Sequence, residues 1–378
     1  MEYAETNNRE LYILLLDASE AYTSIPFELI ILAFKRLGAS DLYCNFIWSL
    51  LQNQSWNITS IYGKAEGDPI KPTAGAPQGG PLSPIIFIVV QDFIASHINI
   101  HGNSYGFTIE DTALETCITV SNMIIVDDVT MTAGTAQHAQ KLLDLAAEMN
   151  IACGIRGNPS KTLISLSSKA HQRSCTTAAD GTIQKPTFTM SMLTDRMEIL
   201  PNEPIPSKGV LAPQDEFRML GVFLRFSSST SDPTVSHVAS RSKWTLAFKA
   251  AEKLCKQVSR HLSYKQANIK EAIILVQSVL ITSLTYRYQL GQLNNTDLER
   301  LEHIVFESYC SLLHIPKEQR YTHLYPALFL KANKYGVGLP QLRIPILGTI
   351  LCNLAQFLNS ANPIISQIAQ YVMKKDHS

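Results

Sequence analysis

At 378 residues the chain can hold two or three structural units, each large enough for its own core. A hydrophobic fraction of 46% with 17% charged residues excludes a disordered polyelectrolyte. The balance of 32 basic against 32 acidic side chains leaves zero formal charge, so any grip on a polyanion has to come from a local cluster. Cys44, Cys117, Cys153, Cys175, Cys255, Cys310 and Cys352 are odd in number, scattered and without a CxxC pair, which implies reduced thiols inside a cell, in nucleus or cytoplasm alike. Glu2 and Glu5 stand where a signal peptide would carry basic residues, and no segment approaches the ~20 apolar residues of a membrane span, so no membrane partner is expected.

In chain order, the apolar run Leu11 to Leu16 predicts a short buried strand that leaves the core at Asp17. Pro26 opens a helix that runs to about Leu37 with Gly38 as its stop, and Ser40 caps a second that runs to about Leu51. Alternation from Trp56 to Tyr62 predicts a strand. A Gly/Pro-dense loop from Gly75 to Pro84 leads into an apolar helix from Ile85 to Ile98, with Pro81 and Pro84 suited to its first turn. Two β-rich runs flank Asp127 and Asp128, and a helix follows over Ala136 to Met149. Residues 168–215 are Ser/Thr/Pro-rich and read as a peripheral insertion, partly mobile, with weak strands at best. Helical periodicity returns near 236–259, 263–288 and 296–313.

Chemistry concentrates at few places. Adjacent carboxylates such as Asp127 and Asp128 repel one another unless a cation neutralises them. Read alone, an Asp-Asp pair is an ordinary turn. Asp17, at the end of the comparable upstream strand, supplies a third candidate acid and completes the outline of a two-metal site. The glycines of the 75–84 loop permit close backbone approach to a ligand, and the helix that follows presents an amino end that favours phosphate. Lys243, Lys249, Lys253, Lys256, Arg260, Lys265 and Lys270 form a basic series that reads equally as a solvated helix face or as a track for a duplex backbone.

The order Asp17-Ala18-Ser19-Glu20-Ala21-Tyr22, Gln78 to Pro84, Val126-Asp127-Asp128, Asn158 to Thr162 and Phe217-Arg218-Met219-Leu220-Gly221 resembles the five palm motifs of reverse transcriptases. Tyr335-Gly336-Val337-Gly338-Leu339-Pro340 is similar to a segment of non-LTR retrotransposon polymerases. The resemblance implies an α+β chain: a palm of antiparallel sheet and packed helices over 1–228, with a fingers remnant, followed by a mainly helical thumb and C-terminal region over 229–378. It implies an RNA-directed DNA polymerase whose partners are an RNA template, a DNA primer and dNTP. Asp17, Asp127 and Asp128 would be ligands of two Mg²⁺ ions, or Mn²⁺ in their place, because all the donors are oxygens.

By the same resemblance Tyr22 is the steric gate against a 2′-hydroxyl, beside Ala18. Gln78, Gly79 and Asn158 contact the incoming nucleotide, Lys161 stabilises or protonates the leaving pyrophosphate, and Phe217, Leu220 and Gly221 grip the primer end. Three departures stand out. Ile125 and Val126 precede the acid pair where the family has an aromatic and a small residue, and Thr23 replaces a common second acid. Only sixteen residues precede Asp17, where the family places its fingers. The alternative function is therefore a non-catalytic relic or nucleic-acid-binding module. An RNA-templated RNA polymerase is disfavoured by the aromatic at Tyr22.

Overall fold

The computed structural model describes residues 1–19, 21–57, 59–60, 63–64, 68–76, 80–111, 116–125, 128–194, 196–226, 245–263, 268–288, 295–316, 342–361, 365–367 and 369–370. Two compact units emerge: Met1–Asp215 with Phe226–Ser229, and Glu216–Arg225 with Thr230–Ser378. The mixed helix and sheet content is that of an α+β protein.

The first unit begins with α1 (Glu2–Thr6) and β1 (Tyr12–Leu16), followed by β2 (Ala18–Ser19), α2 (Ala21–Ser24), α3 (Phe27–Arg36) and α4 (Asp41–Gln52). Pro26 sits at the N-cap of α3, where its missing N–H costs nothing, and Gly38 adopts φ +85° just beyond the helix end. The Ser40 hydroxyl accepts from the Tyr43 amide and caps α4. Among the described residues of the strand expected at 56–62, Thr59–Ser60 (β3) pairs with β4 (Gly63–Lys64), and Trp56 makes an isolated bridge to Ile70. Residues 58, 61 and 62 lie outside the described residues.

The apolar helix is α5 (Ser83–Gly102), and β5 (Phe107–Asp111), β6 (Thr116–Val120), β7 (Asn122–Ile125), β8 (Asp128–Ala133) and α6 (Ala136–Ala152) follow. Then come β9 (Arg156–Gly157), β10 (Leu163–Leu166), α7 (Ser168–Ser174), β11 (Thr176–Thr177), β12 (Ile183–Gln184), β13 (Thr189–Leu193), β14 (Ile199–Pro204) and β15 (Val210–Leu211). The main sheet runs β15-β10-β1-β8-β7, antiparallel except for the parallel β10–β15 pair. β1 is the central strand, and Tyr12, Ile13, Leu14 and Leu16 are all buried, so both of its faces are covered and its apolar run is unbroken rather than alternating. Tyr12, Leu14 and Leu16 share a core with Val90 and Ile94 of α5 and Leu142, Leu143 and Ala146 of α6.

Two expectations need correction. Residues 168–215 are not peripheral: Phe188, Met190, Ile205 and Val210 are buried in the main core, and β15 extends the main sheet. A few large apolar residues spaced among Ser, Thr and Pro suffice to dock the segment, because each buries most of a side chain. Apolar helices of membrane-spanning length do occur, over Ser83–Tyr105 and Ile269–Arg287, judged by length and composition alone. The first meets that test as a core helix does. Its Ile86, Phe87, Val90, Ile94 and Ile98 are buried within the unit, and its Asp92 pairs with Arg36.

The second unit starts with the hairpin β16 (Phe217–Met219) and β17 (Val222–Leu224). Helices α8 (Thr245–Ser263), α9 (Ile269–Leu275), α10 (Thr282–Arg287), α11 (Asn295–Leu312) and α12 (Arg343–Leu358) complete it, with a π-helical stretch over Val276–Ile281 between α9 and α10. Ala247, Phe248, Leu280, Leu284, Leu301, Tyr309 and Ile346 form its core. The change between units thus is not a single cut at 228/229, since residues 216–225 belong with the helices.

Candidate active site

The acids lie at one end of the central sheet. Leu16 pairs with Val129, so the β1–β8 register continued by one residue sets Asp17 against Asp128. Asp128 in turn pairs with Ile125, and Val126 and Asp127 between them lie outside the described residues. Placement at a strand end gives acids a rigid support while their side chains leave the core. Asp128 is exposed, and the Asp17 side chain is partly so.

The Asp17 backbone is fixed by the Asn158 amide, which donates to its carbonyl at 2.9 Å. One carboxylate oxygen of Asp17, Oδ2, is shielded from solvent and accepts no hydrogen bond from the described residues. Lys161 Nζ stands 3.7 Å from it, an ion pair without hydrogen-bond contact. A shielded carboxylate oxygen without a donor is costly unless a cation completes it. The oxygen-only donor chemistry therefore fits a hard divalent cation. Among the described residues no group of three His, Cys, Asp or Glu side chains gathers to hold a metal, and Asp127 is not among those residues.

Lys161 is delivered by a compact turn. The Asn158 carbonyl accepts from the amides of Lys161 (3.2 Å) and Thr162 (3.0 Å) and from the Thr162 hydroxyl (2.9 Å). The Ser160 hydroxyl donates to Asn158 Oδ1 at 2.7 Å, while Asn158 Nδ2 donates to Ser19 Oγ at 3.2 Å. Ala18 pairs with Gly157 and Ser19 with Arg156, so β2 and β9 lock this turn beside Asp17. Asn158 consequently works here as a strut, its side chain committed to Ser19 and Ser160.

Tyr22 lies on a different support. Its ring stacks on Phe87 of α5 with centroids 4.3 Å apart and planes 15° from parallel. The Tyr22 carbonyl accepts from the Ala76 amide at 2.8 Å, and the Ile25 carbonyl accepts from Gly75 at 2.7 Å. Gly75 has φ +79°, and a Cβ there would come within 2.5 Å of the Thr23 carbonyl. Only glycine lets the loop approach α2 so closely. That loop runs on into Gln78 and Gly79, which lie outside the described residues, as does Tyr335 to Pro340.

Phe217, Leu220 and Gly221 are not in this unit. They form the β16–β17 hairpin of the helical unit, with Phe217 buried and Leu220 and Gly221 at its turn. Of the basic series, Lys249, Lys253, Lys256 and Arg260 line one exposed face of α8, with Glu252 among them. Lys243 and Lys265 lie outside the described residues. Residue patterns missed the contacts of Ser19 and Phe87, since each acts through a partner distant in sequence. Phe87 alone left a trace, as an aromatic in the first turns of the helix after the loop.

A central antiparallel sheet backed by packed helices fits the palm expected from the sequence. Residues 1–224 match the family model for reverse transcriptase (RNA-dependent DNA polymerase), and the chain belongs to that family. Among solved structures the chain is matched to telomerase from Candida tropicalis bound to a TWJ fragment of telomeric RNA, with 13% identity over 98% of this chain and 50% of that one, TM-score 0.36. Apo telomerase from Candida tropicalis (13% identity, 96% and 53% covered, TM-score 0.36) and the Candida albicans telomerase complex (12%, 98% and 51%, 0.34) are similar to the same degree. The chain spans about half the length of these telomerase chains.

Proposed function

We propose that the chain is the palm and thumb of an RNA-directed DNA polymerase of a non-LTR retrotransposon, the first unit serving as palm and the helical unit as thumb. It would extend a primer 3′-hydroxyl with deoxynucleotides along an RNA template. The observation that carries this reading is the donor-free Oδ2 of Asp17, standing beside Lys161 and opposite Asp128 in the strand register.

Asp17, Asp127 and Asp128 would hold two Mg²⁺ ions. Bound there, the metal supplies Lewis-acid activation of the attacking hydroxyl and neutralises charge on the transferred phosphoryl group. Lys161, on its rigid turn, holds a positive charge and a proton next to that group, to stabilise or protonate the departing pyrophosphate. Tyr22 cannot swing freely because Phe87 supports its face, and a fixed ring is what exclusion of a 2′-hydroxyl requires. Ala18, Gln78 and Gly79 would complete the nucleotide-contacting surface. Asn158 serves this surface indirectly, by holding Ser19 and the Lys161 turn in place.

Primer extension with Mg²⁺ on RNA and on DNA templates, fed with dNTP or rNTP, tests the reading. RNA-templated extension with dNTP is expected, rNTP being rejected, and Tyr22→Ala relaxing that rejection by about tenfold or more, a ~1.4 kcal/mol effect. Duplex binding without any extension would instead make the chain a binding module.

A further inference from the structure

The β16–β17 hairpin closes through two residues with positive φ, Leu220 at +50° and Gly221 at +83°, between the paired Met219 and Val222. Such a turn favours Asn-Gly or Gly-Gly, and leucine is an unfavourable occupant of its first position. Something outside the turn has to hold it. The Tyr286 hydroxyl donates to the Leu220 carbonyl at 2.8 Å, and its ring edge closes over the turn so that a Cβ on Gly221 would lie 3.1 Å from it.

The rest of the hairpin is tied to the same helices. The Glu216 carboxylate accepts from the amides of Leu246 (3.2 Å) and Ala247 (2.9 Å) at the amino end of α8, and Phe223 packs on the helical core. The π-helical stretch before α10 carries a wider helical turn, which re-aims the side chains beyond it relative to an uninterrupted α-helix. Leu280 and Leu284 stay buried, while Tyr286 reaches the hairpin with half its surface exposed.

We infer that Tyr286 is a positioning residue that latches the Leu220-Gly221 turn and so sets where this turn holds a primer end. The inference rests on the proposed polymerase reading, in which Phe217, Leu220 and Gly221 grip the primer. Removing the latch frees the turn to leave its strained conformation without altering the acids or the gate at Tyr22. Alignment of the 3′-hydroxyl should suffer and nucleotide affinity should not.

Tyr286→Phe, which keeps the ring over Gly221 and deletes only the hydroxyl, tests this in the full chain. Amides between Met219 and Val222 should exchange about fivefold faster than in wild type, the weight of one hydrogen bond. Melting should fall by no more than about 2–4 °C, the shift that one such bond allows, and kcat for extension should fall several-fold at constant KM for dNTP. Unchanged exchange would overturn the latch, and faster exchange with unchanged kcat would overturn its positioning role. If wild type extends no primer, the polymerase reading has failed by itself, and the exchange comparison still decides the latch.

Discussion

The Asp17 and Asp128 acids and the Leu220-Gly221 turn are held by opposite means. Asp17 and Asp128 are set by backbone ladders, with β1 paired on both sides and the Asn158 turn locked by main-chain bonds. The turn at Leu220-Gly221 depends on two side chains, Tyr286 at its tip and Glu216 at its base. A ladder spreads its stabilisation over many bonds and tolerates loss of one side chain. A latch does not, so the first arrangement suits groups that must stay within fractions of an ångström and the second a turn whose position can be adjusted.

The largest expected effect on stability breaks the backbone arrangement where it admits no side chain. Gly75→Ala forces a Cβ against the Thr23 carbonyl at positive φ and should destabilise the first unit by about 2 kcal/mol, read as faster exchange across α2 and β1. Unaltered exchange would show that the loop needs no close approach. Glu216→Ala should cost about 1 kcal/mol, confined to the amino end of α8 and the hairpin. A loss spread through the first unit would erase the contrast between the two.

The strand before Asp17 and the apolar helix after the loop were legible because each is a long enough apolar run with clear punctuation at Asp17 and Pro84. The Ser40 cap was legible because capping chemistry is local. Residues 168–215 were not, because Phe188, Met190, Ile205 and Val210 are too sparse to show a period and find their partners only in the folded core. Of the candidate site, motif order offered the acids, Tyr22 and Lys161 as candidates, and the strand register sets Asp17 against Asp128 with Lys161 beside it. The Phe87 ring under Tyr22 and the Tyr286 hydroxyl on Leu220 are 65 and 66 residues from their partners and leave no local pattern.

The smallest effect concerns the thiols. Burial pushes Cys153 up to about 12 and Cys255 up to about 11, so neither forms thiolate near neutral pH. Iodoacetamide at pH 8 should label exposed Cys117 and Cys352 and spare those two, and labelling of Cys153 would mean that the first unit opens readily.

The most direct test of the account is Mg²⁺-dependent extension on an RNA template by wild type and Asp17→Asn, with melting measured on both. The variant removes the charge of the donor-free carboxylate but keeps its shape. Loss of extension by about a thousandfold or more at unchanged melting temperature is predicted. Equal extension by the two proteins would contradict the assignment of Asp17 and the metal-assisted site built on it.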